Sequence, residues 1–185
     1  MGNRLARYEF SERLADVLGE SRRDLRFRVT LMVTEGLVAP GPRGRGSPPA
    51  TPQYAAQLLI GAMAAPQQAQ TVEAIRCYSD LQPVAVAAGG NTPRVIFGPA
   101  IVGPDAEPQL APTIRLDGLA FGEALANLLE LACADETRAL VASELFGVWI
   151  NRGCPVASLQ FSAWWQGRRA VSSHTHGLAE GAAPP

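Results

Sequence analysis

Apolar side chains recur at helical spacing near the start of the chain, and this pattern predicts an amphipathic helix. Phe10, Leu14, Val17 and Leu18 fall on one stripe of that helix. Gly19 follows the stripe directly. Because glycine readily adopts the left-handed conformation that closes a helix, we expect the first helix to end there.

A second helix is predicted immediately after this turn. Ser21 is its expected N-cap. Asp24, three residues later, stands where a capping box usually has the longer side chain of Glu or Gln. Gly36 is expected to end it. The apolar side chains that would hold this helix to a core are Leu25, Val29, Met32 and Val33.

The next segment, residues 39–52, interrupts the helical pattern. It contains the run PGPRGRGSPPATP, and its five prolines and three glycines in fourteen residues predict a loop. The helical pattern resumes with Thr51 as N-cap and Pro52 at the first helical position. A further helix is predicted from Pro66 to about Ser79.

The second half of the chain mixes short β-like runs with helical patterns. Residues 83–93 are rich in alanine and glycine and predict a linker. Two helices are expected, one starting after Asp117 and one over 135–145. The last two β-like runs flank the tight connection NRGCP and predict a β-hairpin. The β-like runs lie at 95–97, 100–102, 113–116, 147–150 and 156–164.

These patterns together predict an α+β protein of two domains. Residues 9–82 form an all-helical domain, 83–93 the linker, 94–165 a small α+β domain, and the small, polar residues 166–185 a disordered tail. The second domain is rich in apolar strands and carries an excess of acidic residues. We therefore expect it to mediate regulation or dimerisation, so that the protein is a homodimer.

Composition favours a soluble, cytoplasmic protein. Hydrophobic residues make up 47% of the chain, which is enough for a packed core. The longest apolar stretches stop short of the roughly 18–20 residues that a membrane span needs, and the N-terminus lacks the pattern of a secretory signal. Three cysteines, an odd number at wide spacing, are typical of reduced thiols rather than of a disulfide framework.

Positive charge is concentrated at the start of the chain. Residues 1–48 hold nine arginines and no lysine against six acidic residues, whereas the whole chain has a net charge of −1. An anionic partner would therefore meet this part of the protein. Arginine suits such a partner because its planar fork donates two hydrogen bonds to a phosphate or to a guanine edge.

The second helix and the loop after it form the candidate site for DNA. A helix can enter the major groove when its first turns are polar and its opposite face is held by a core. The loop arginines lie among glycines, which let the backbone approach a phosphate chain, as in a wing. The candidate DNA-binding residues are Ser21, Arg22, Arg23, Arg26 and Arg28, expected at the exposed start of the helix, and Arg43 and Arg45 in the loop.

This layout resembles the DNA-binding head of the MerR-type regulators, in which a helix-turn-helix precedes a Gly-Leu pair, a basic wing and a helix that opens on Thr-Pro. The resemblance implies a winged helix-turn-helix that binds double-stranded DNA. The chain departs from the family where its second helix is about one turn longer, where Ser47 and Pro48 stand at the wing's usual aromatic position, and where no long coiled coil follows. A general likeness to prophage regulators of GC-rich bacteria is also present. The matching residues are Leu14, Ala15, Gly19, Ser21, Arg23, Leu25, Arg26, Glu35, Gly36, Leu37, Pro40, Arg43, Thr51 and Pro52.

Catalytic, metal and cofactor sites have less support in the sequence. His174 and His176 fall in the predicted tail with no third ligand nearby, and no positioned histidine accompanies a nucleophile. We therefore expect no enzyme activity, metal or cofactor. The expected function is sequence-specific regulation of transcription. A protein-interaction module, such as a phage-encoded inhibitor or adaptor, and a ligand-sensing regulator are the alternatives.

Overall fold

The computed structural model describes residues 5–41, 46–83, 118–133, 146–152, 154–165 and 168–178. The described elements are helices and a small antiparallel sheet, so the protein belongs to the α+β class. The helices are α1 (Arg7–Leu18), α2 (Arg22–Thr34), α3 (Pro52–Ala64), α4 (Thr71–Ser79) and α5 (Phe121–Cys133), and the strands are β1 (Gln82–Pro83), β2 (Phe146–Asn151), β3 (Val156–Trp165) and β4 (Arg168–Gly177).

Local capping signals set the end of α1 and the starts of α2 and α3 as the sequence predicted. Gly19 closes α1 in the left-handed conformation, with a φ of 69°. The Ser21 hydroxyl accepts a hydrogen bond from the Asp24 N–H at 3.1 Å, and the Thr51 hydroxyl accepts one from the Tyr54 N–H at 3.1 Å. Each of these bonds satisfies an amide that the first turn of a helix would otherwise leave without a partner.

The fourth helix begins later than the sequence predicted. We expected it to start at Pro66, but residues Gln68–Gln70 form a single 3₁₀ turn and α4 starts at Thr71. The buried Thr71 hydroxyl donates to the Gln68 carbonyl at 2.6 Å. This bond fixes the tighter turn and separates it from the α-helix that follows.

The sheet has the strand order β1-β4-β3-β2, and all its neighbouring strands are antiparallel. The predicted hairpin is confirmed as β2 and β3, which pair along their length from Phe146↔Phe161 to Asn151↔Val156. The prediction of a disordered tail is wrong over Arg168–Gly177, because this segment forms β4 and pairs with β3. Strand formation here depends on the neighbouring strand more than on the polar composition of the segment.

One hydrophobic cluster joins the helices to the sheet. It contains Leu58 and Ile60 of α3, Phe121 and Leu125 of α5, and Leu159 of β3, all with no exposed surface. The described parts of the two predicted domains therefore share one core. Of the predicted linker, only Pro83 is described, and it belongs to β1. The rest of the linker lies outside the described residues, as do the β-like runs at 95–97, 100–102 and 113–116, the predicted helix at 135–145 and Asp117.

Two hydrogen bonds tie the β2–β3 connection to the helices. The Tyr78 hydroxyl donates to the Asn151 carbonyl at 2.6 Å, and the Arg152 Nε donates to the Met63 carbonyl at 2.7 Å. Both bonds link residues that are far apart in the chain. They fix the position of the hairpin against α3 and α4.

Within the described parts of the chain, no helix combines the length and the apolar character needed to cross a bilayer. Cys77, Cys133 and Cys154 are free thiols. Cys133 and Cys154 are exposed, and Cys77 is half-buried. Burial raises the pKa of the Cys77 thiol, with Glu73 and Asp80 adding to the shift, so its protonated form is favoured.

Candidate nucleic-acid interface

The helix α2, which follows α1 after the turn at Gly19, has one buried and one exposed face. Leu25, Arg28 and Met32 are its buried residues. They follow one another at spacings of three and four, so they form a single ridge along one side of the helix. The tight turn at Gly19 places this ridge against the rest of the protein and leaves the opposite side to solvent.

The exposed side carries a ridge of its own, which we call the outer stripe of α2. It is formed by Arg23, Phe27, Thr30 and Thr34, all of them exposed. The spacings of four, three and four place these side chains on one line, about opposite the buried ridge. A stripe of this kind, polar at its first turn and free of contacts with the core, can be laid into a groove.

Arg22 lies beside this stripe and is paired with α1. Its Nε and Nη2 donate to the two carboxylate oxygens of Asp16, at 3.1 and 2.9 Å. The hydrogen bond to Asp16 raises the pKa of Arg22. Both partners are more than half exposed, so solvent and salt screen the pair strongly, and Arg22 can exchange Asp16 for another anion.

Arg26 is paired with α1 in a similar way. Its Nη2 donates to the Glu12 carboxylate and to the Tyr8 hydroxyl, and its guanidinium carbon lies 4.6 Å from the centre of the Tyr8 ring. The hydrogen bonds from Arg26 and Tyr8 lower the pKa of Glu12. The pair is therefore ionised at neutral pH.

Arg23 differs from its two neighbours. It is exposed at the first turn of α2, and it has no ion-pair partner among the residues that the structure describes. Its guanidinium is therefore available to an external anion without the loss of an internal bond.

The expectation that Arg28 lies on the exposed face is wrong. Only 4% of its surface is exposed, and its Nη1 donates to the Gly61 carbonyl at 3.1 Å and to the Thr71 hydroxyl at 2.9 Å. Its Nη2 donates to Glu20 at 3.1 Å and to the Ala65 carbonyl at 3.4 Å.

The physical reason is helical phase. Arg28 stands three residues after Leu25 and four before Met32, so it falls on the buried ridge itself. There its positive charge meets carbonyls at the C-terminal end of α3, where the helix dipole favours a cation. Arg28 therefore joins α2 to the end of α3.

Ser21 is exposed at the position where the sequence predicted a DNA contact. Its side-chain oxygen caps α2 by accepting from the Asp24 N–H. The hydroxyl hydrogen remains able to donate to an outside acceptor.

The loop that carries Arg43 and Arg45 is described only at its two ends, because residues 42–45 lie outside the described residues. Its return end is fixed to the segment before α1. The Arg7 N–H donates to the Pro48 carbonyl at 2.8 Å, and the Ala50 N–H donates to the Leu5 carbonyl at 2.8 Å.

The side chain of Arg7 fixes the outgoing end of the same loop. Its Nη1 donates to the Ala39 carbonyl at 2.7 Å, and its guanidinium carbon lies 5.3 Å from the centre of the Tyr54 ring. Burial raises the pKa of Tyr54 to about 12, so this ring is neutral at physiological pH. Both ends of the loop are thus held beside α1.

Sequence reasoning missed the acidic residues of α1 and the aromatic residue of the outer stripe. Glu12 and Asp16 are spaced four apart, as are Arg22 and Arg26, so two facing helices bring the pairs into register. Phe27 was missed because it lies on the polar side of α2, about opposite the apolar residues from which the helix was predicted.

The two histidines lie in β4 instead of a disordered tail. His176 is 1% exposed, and its ring centre lies 5.5 Å from that of Phe121. Over the described ranges, no three His, Cys, Asp or Glu side chains come together closely enough to hold a metal ion.

No protein family, curated protein or solved structure matches this chain.

Proposed function

We propose that this protein is a sequence-specific DNA-binding regulator of transcription that acts in the cytoplasm and has no enzymatic activity. The observation that carries the proposal is the outer stripe of α2, an exposed ridge that begins with Arg23 and is flanked by Arg22 and Arg26. The buried ridge behind it holds the helix in place.

The dimensions of a single helix fit this role. An α-helix with its side chains is about 10–12 Å across, and the major groove of B-DNA is about 12 Å wide. Arg23 and its neighbours lie at the N-terminal end of α2, where a recognition helix usually contacts bases. The helix dipole adds partial positive charge at the same end.

The pairing of Arg22 and Arg26 with α1 is compatible with contacts to DNA. Each pair is partly exposed and is screened by salt. Phosphate oxygens can replace the carboxylates of Asp16 and Glu12, because they offer the same bidentate acceptor geometry. We assign the main base contact to Arg23 and the main phosphate contacts to Arg22 and Arg26.

The order of the elements also supports the proposal. A pair of helices, a Pro/Gly-rich loop with two arginines, and a helix that opens on Thr51 and Pro52 follow one another, in the order of the MerR-type head that the chain resembles. The loop leaves and returns beside α1. Arg43 and Arg45 are proposed to contact phosphates from this loop, as in a wing.

Dimerisation through residues 94–165 remains a prediction of the proposal. A homodimer would present two α2 helices to the two halves of a pseudo-palindromic site. In the described sheet, β2 is an outer strand whose Trp149 is 61% exposed, so we place the contact there. Sedimentation equilibrium of the full chain tests this point, and a monomeric mass at micromolar concentration would contradict it.

The test of the proposed function is selection of duplexes from a randomised library by the purified full chain. We expect one sequence to be enriched and bound at least about a thousandfold more tightly than a scrambled duplex. Failure to enrich any sequence, with equal affinity for all duplexes, would contradict sequence-specific binding.

A salt titration of the selected and scrambled duplexes then separates the roles of the arginines. Arg43→Ala and Arg45→Ala should weaken both duplexes equally and flatten the salt slope by about one unit for each phosphate that the variant no longer binds. Arg13→Ala, an exposed arginine of α1 paired with Glu9, is the matched control and should change neither quantity. If the loop variants also leave both quantities unchanged, the loop is not a wing.

A further inference from the structure

Phe27 is a large apolar side chain in the middle of the outer stripe of α2. It is 46% exposed, with Arg23 one turn before it and Thr30 about one turn after it. The other members of the stripe are polar. An aromatic ring in this position contributes less to the core than a buried one would, which raises the question of what it contacts.

Two other exposed apolar side chains lie in the same helix-turn-helix, and each differs from Phe27. Tyr8 is on α1, and its ring is already covered on one side by the Arg26 guanidinium. Val17 is 81% exposed on α1, away from the stripe. Phe27 is thus the exposed apolar side chain that lies in line with Arg23 on α2.

The major groove of B-DNA offers one apolar group for such a ring. Its base edges present hydrogen-bond donors and acceptors, except for the 5-methyl group of thymine. A phenyl ring inserted into the groove cannot satisfy the polar edges, and it gains free energy by covering the methyl group.

We infer that Phe27 is a specificity-determining residue that contacts the 5-methyl group of a thymine in the DNA site. The inference rests on the proposed function. Arg23 and Phe27 are four residues apart, which is about 6 Å along the helix. Base pairs are stacked about 3.4 Å apart, so a guanine contacted by Arg23 and this thymine lie about two steps from each other.

The experiment uses the duplex that the full chain selects from a randomised library. Each thymine of this duplex is replaced in turn by deoxyuridine, which removes the methyl group and keeps the base pair. At one thymine, we expect the substitution to weaken binding by the wild-type chain about fourfold, the effect of exposing one methyl group.

Three variants assign that effect to Phe27. Phe27→Ala should bind the thymine and uracil duplexes with equal affinity, and Phe27→Leu, which keeps an apolar side chain, should retain part of the difference. Val17→Ala, the matched exposed apolar residue of α1, should retain all of it. Circular dichroism of each variant checks that α2 is still folded.

Two results would overturn the inference and leave the proposed function standing. One is a wild-type chain that is indifferent to uracil at every position of a tightly bound duplex. The other is a folded Phe27→Ala variant that discriminates as the wild type does, as expected if Phe27 contacts a protein. If the full chain selects no duplex at all, the proposed function fails and the inference fails with it.

Discussion

The helices α2 and α3 have the same length, thirteen residues, and each is capped by a hydroxyl side chain, but they bury very different shares of their residues. Eight residues of α3 are buried, against three of α2. One of those three is Arg28, which is polar. The difference shows that α3 lies at the centre of the fold, while α2 is buried along one ridge and exposed on the opposite side.

The attachment of α2 combines the apolar contacts of Leu25 and Met32 with a few polar bonds from Arg28. Arg28 reaches the carbonyls of Gly61 and Ala65 at the end of α3 and the hydroxyl of Thr71 at the start of α4. Because hydrogen bonds are directional, such a geometry fixes both the position and the direction of α2. We expect it to orient the outer stripe.

The largest expected effect is the loss of this attachment. Arg28→Ala leaves a cavity and removes the donors that reach Glu20, Gly61 and Thr71, so we expect the free energy of unfolding to fall by about 3 kcal/mol or more. Urea unfolding measures the change. Arg23→Ala on the exposed side is the matched control and should stay within about 0.5 kcal/mol of the wild type.

A decrease of less than about 1 kcal/mol on Arg28→Ala would show that α2 is held by its apolar contacts alone.

The second prediction concerns the close approach of α3 and α4. A Cβ added to Gly61 would lie 2.8 Å from the Thr71 Cγ2 and 3.1 Å from the Ile75 Cδ1. We expect Gly61→Ala to destabilise the protein by about 1–2 kcal/mol, because overpacking exceeds the gain in helix propensity. Gln53→Ala at the exposed start of α3 is the control. A Gly61→Ala variant as stable as the wild type would mean that α3 and α4 can separate without cost.

The third prediction ranks the arginines of the exposed side. Arg23→Ala should weaken binding to the selected duplex about tenfold and relax the preference at one base pair. Arg22→Ala and Arg26→Ala should have smaller effects, because their charges are already partly neutralised by Asp16 and Glu12. Fluorescence anisotropy with labelled duplexes measures all three. The ranking is wrong if Arg23→Ala binds as the wild type does.

The smallest expected effect comes from the carboxylates of α1. Glu12→Gln and Asp16→Asn release Arg26 and Arg22, and we expect binding to scrambled duplexes to rise about two- to threefold at low salt. The same titration at high salt should abolish the gain. Weaker binding by both variants would show that the pairs position the arginines instead of competing for them.

The pH dependence of the Glu12 pair has a defined sign. Arg26 and Tyr8 hold the pKa of this carboxyl below its ordinary value of 4.5. The stabilisation from the pair is therefore present above pH 4.5 and is lost as the pH falls through the lower folded-state value. The carboxyl resonance of Glu12, followed by NMR, should titrate below 4.5 in the wild type. In Arg26→Ala it should move up towards that ordinary value.

The helical part of the fold could be predicted from the sequence because its signals are local. Gly19, Ser21 and Thr51 act on residues within one turn, and the structure places each at the expected helix end. β4 could not be predicted in this way. Its strand conformation depends on pairing with β3, which no pattern within the segment itself indicates. Its small, polar residues are typical of a disordered tail instead.

The candidate site was predictable in part for the same reason. The exposure of Arg22, Arg23 and Arg26 follows from helical phase near a cap, and the burial of Arg28 follows from the same phase. The hydrogen-bond partners of Arg28 in α3 and α4 are distant in sequence, so no local pattern indicates that a buried arginine would find acceptors there.

The most direct test of DNA binding through the outer stripe of α2 compares two exposed aromatic residues by photo-crosslinking. Phe27 lies on the outer stripe of α2, and Trp149 lies on the outer strand β2 of the described sheet. Each is replaced in turn by p-benzoylphenylalanine in the full chain, which is then irradiated with the selected duplex. We expect a DNA crosslink from position 27 and none from position 149. A crosslink from position 149 alone, or from neither position while the duplex is bound, would contradict it.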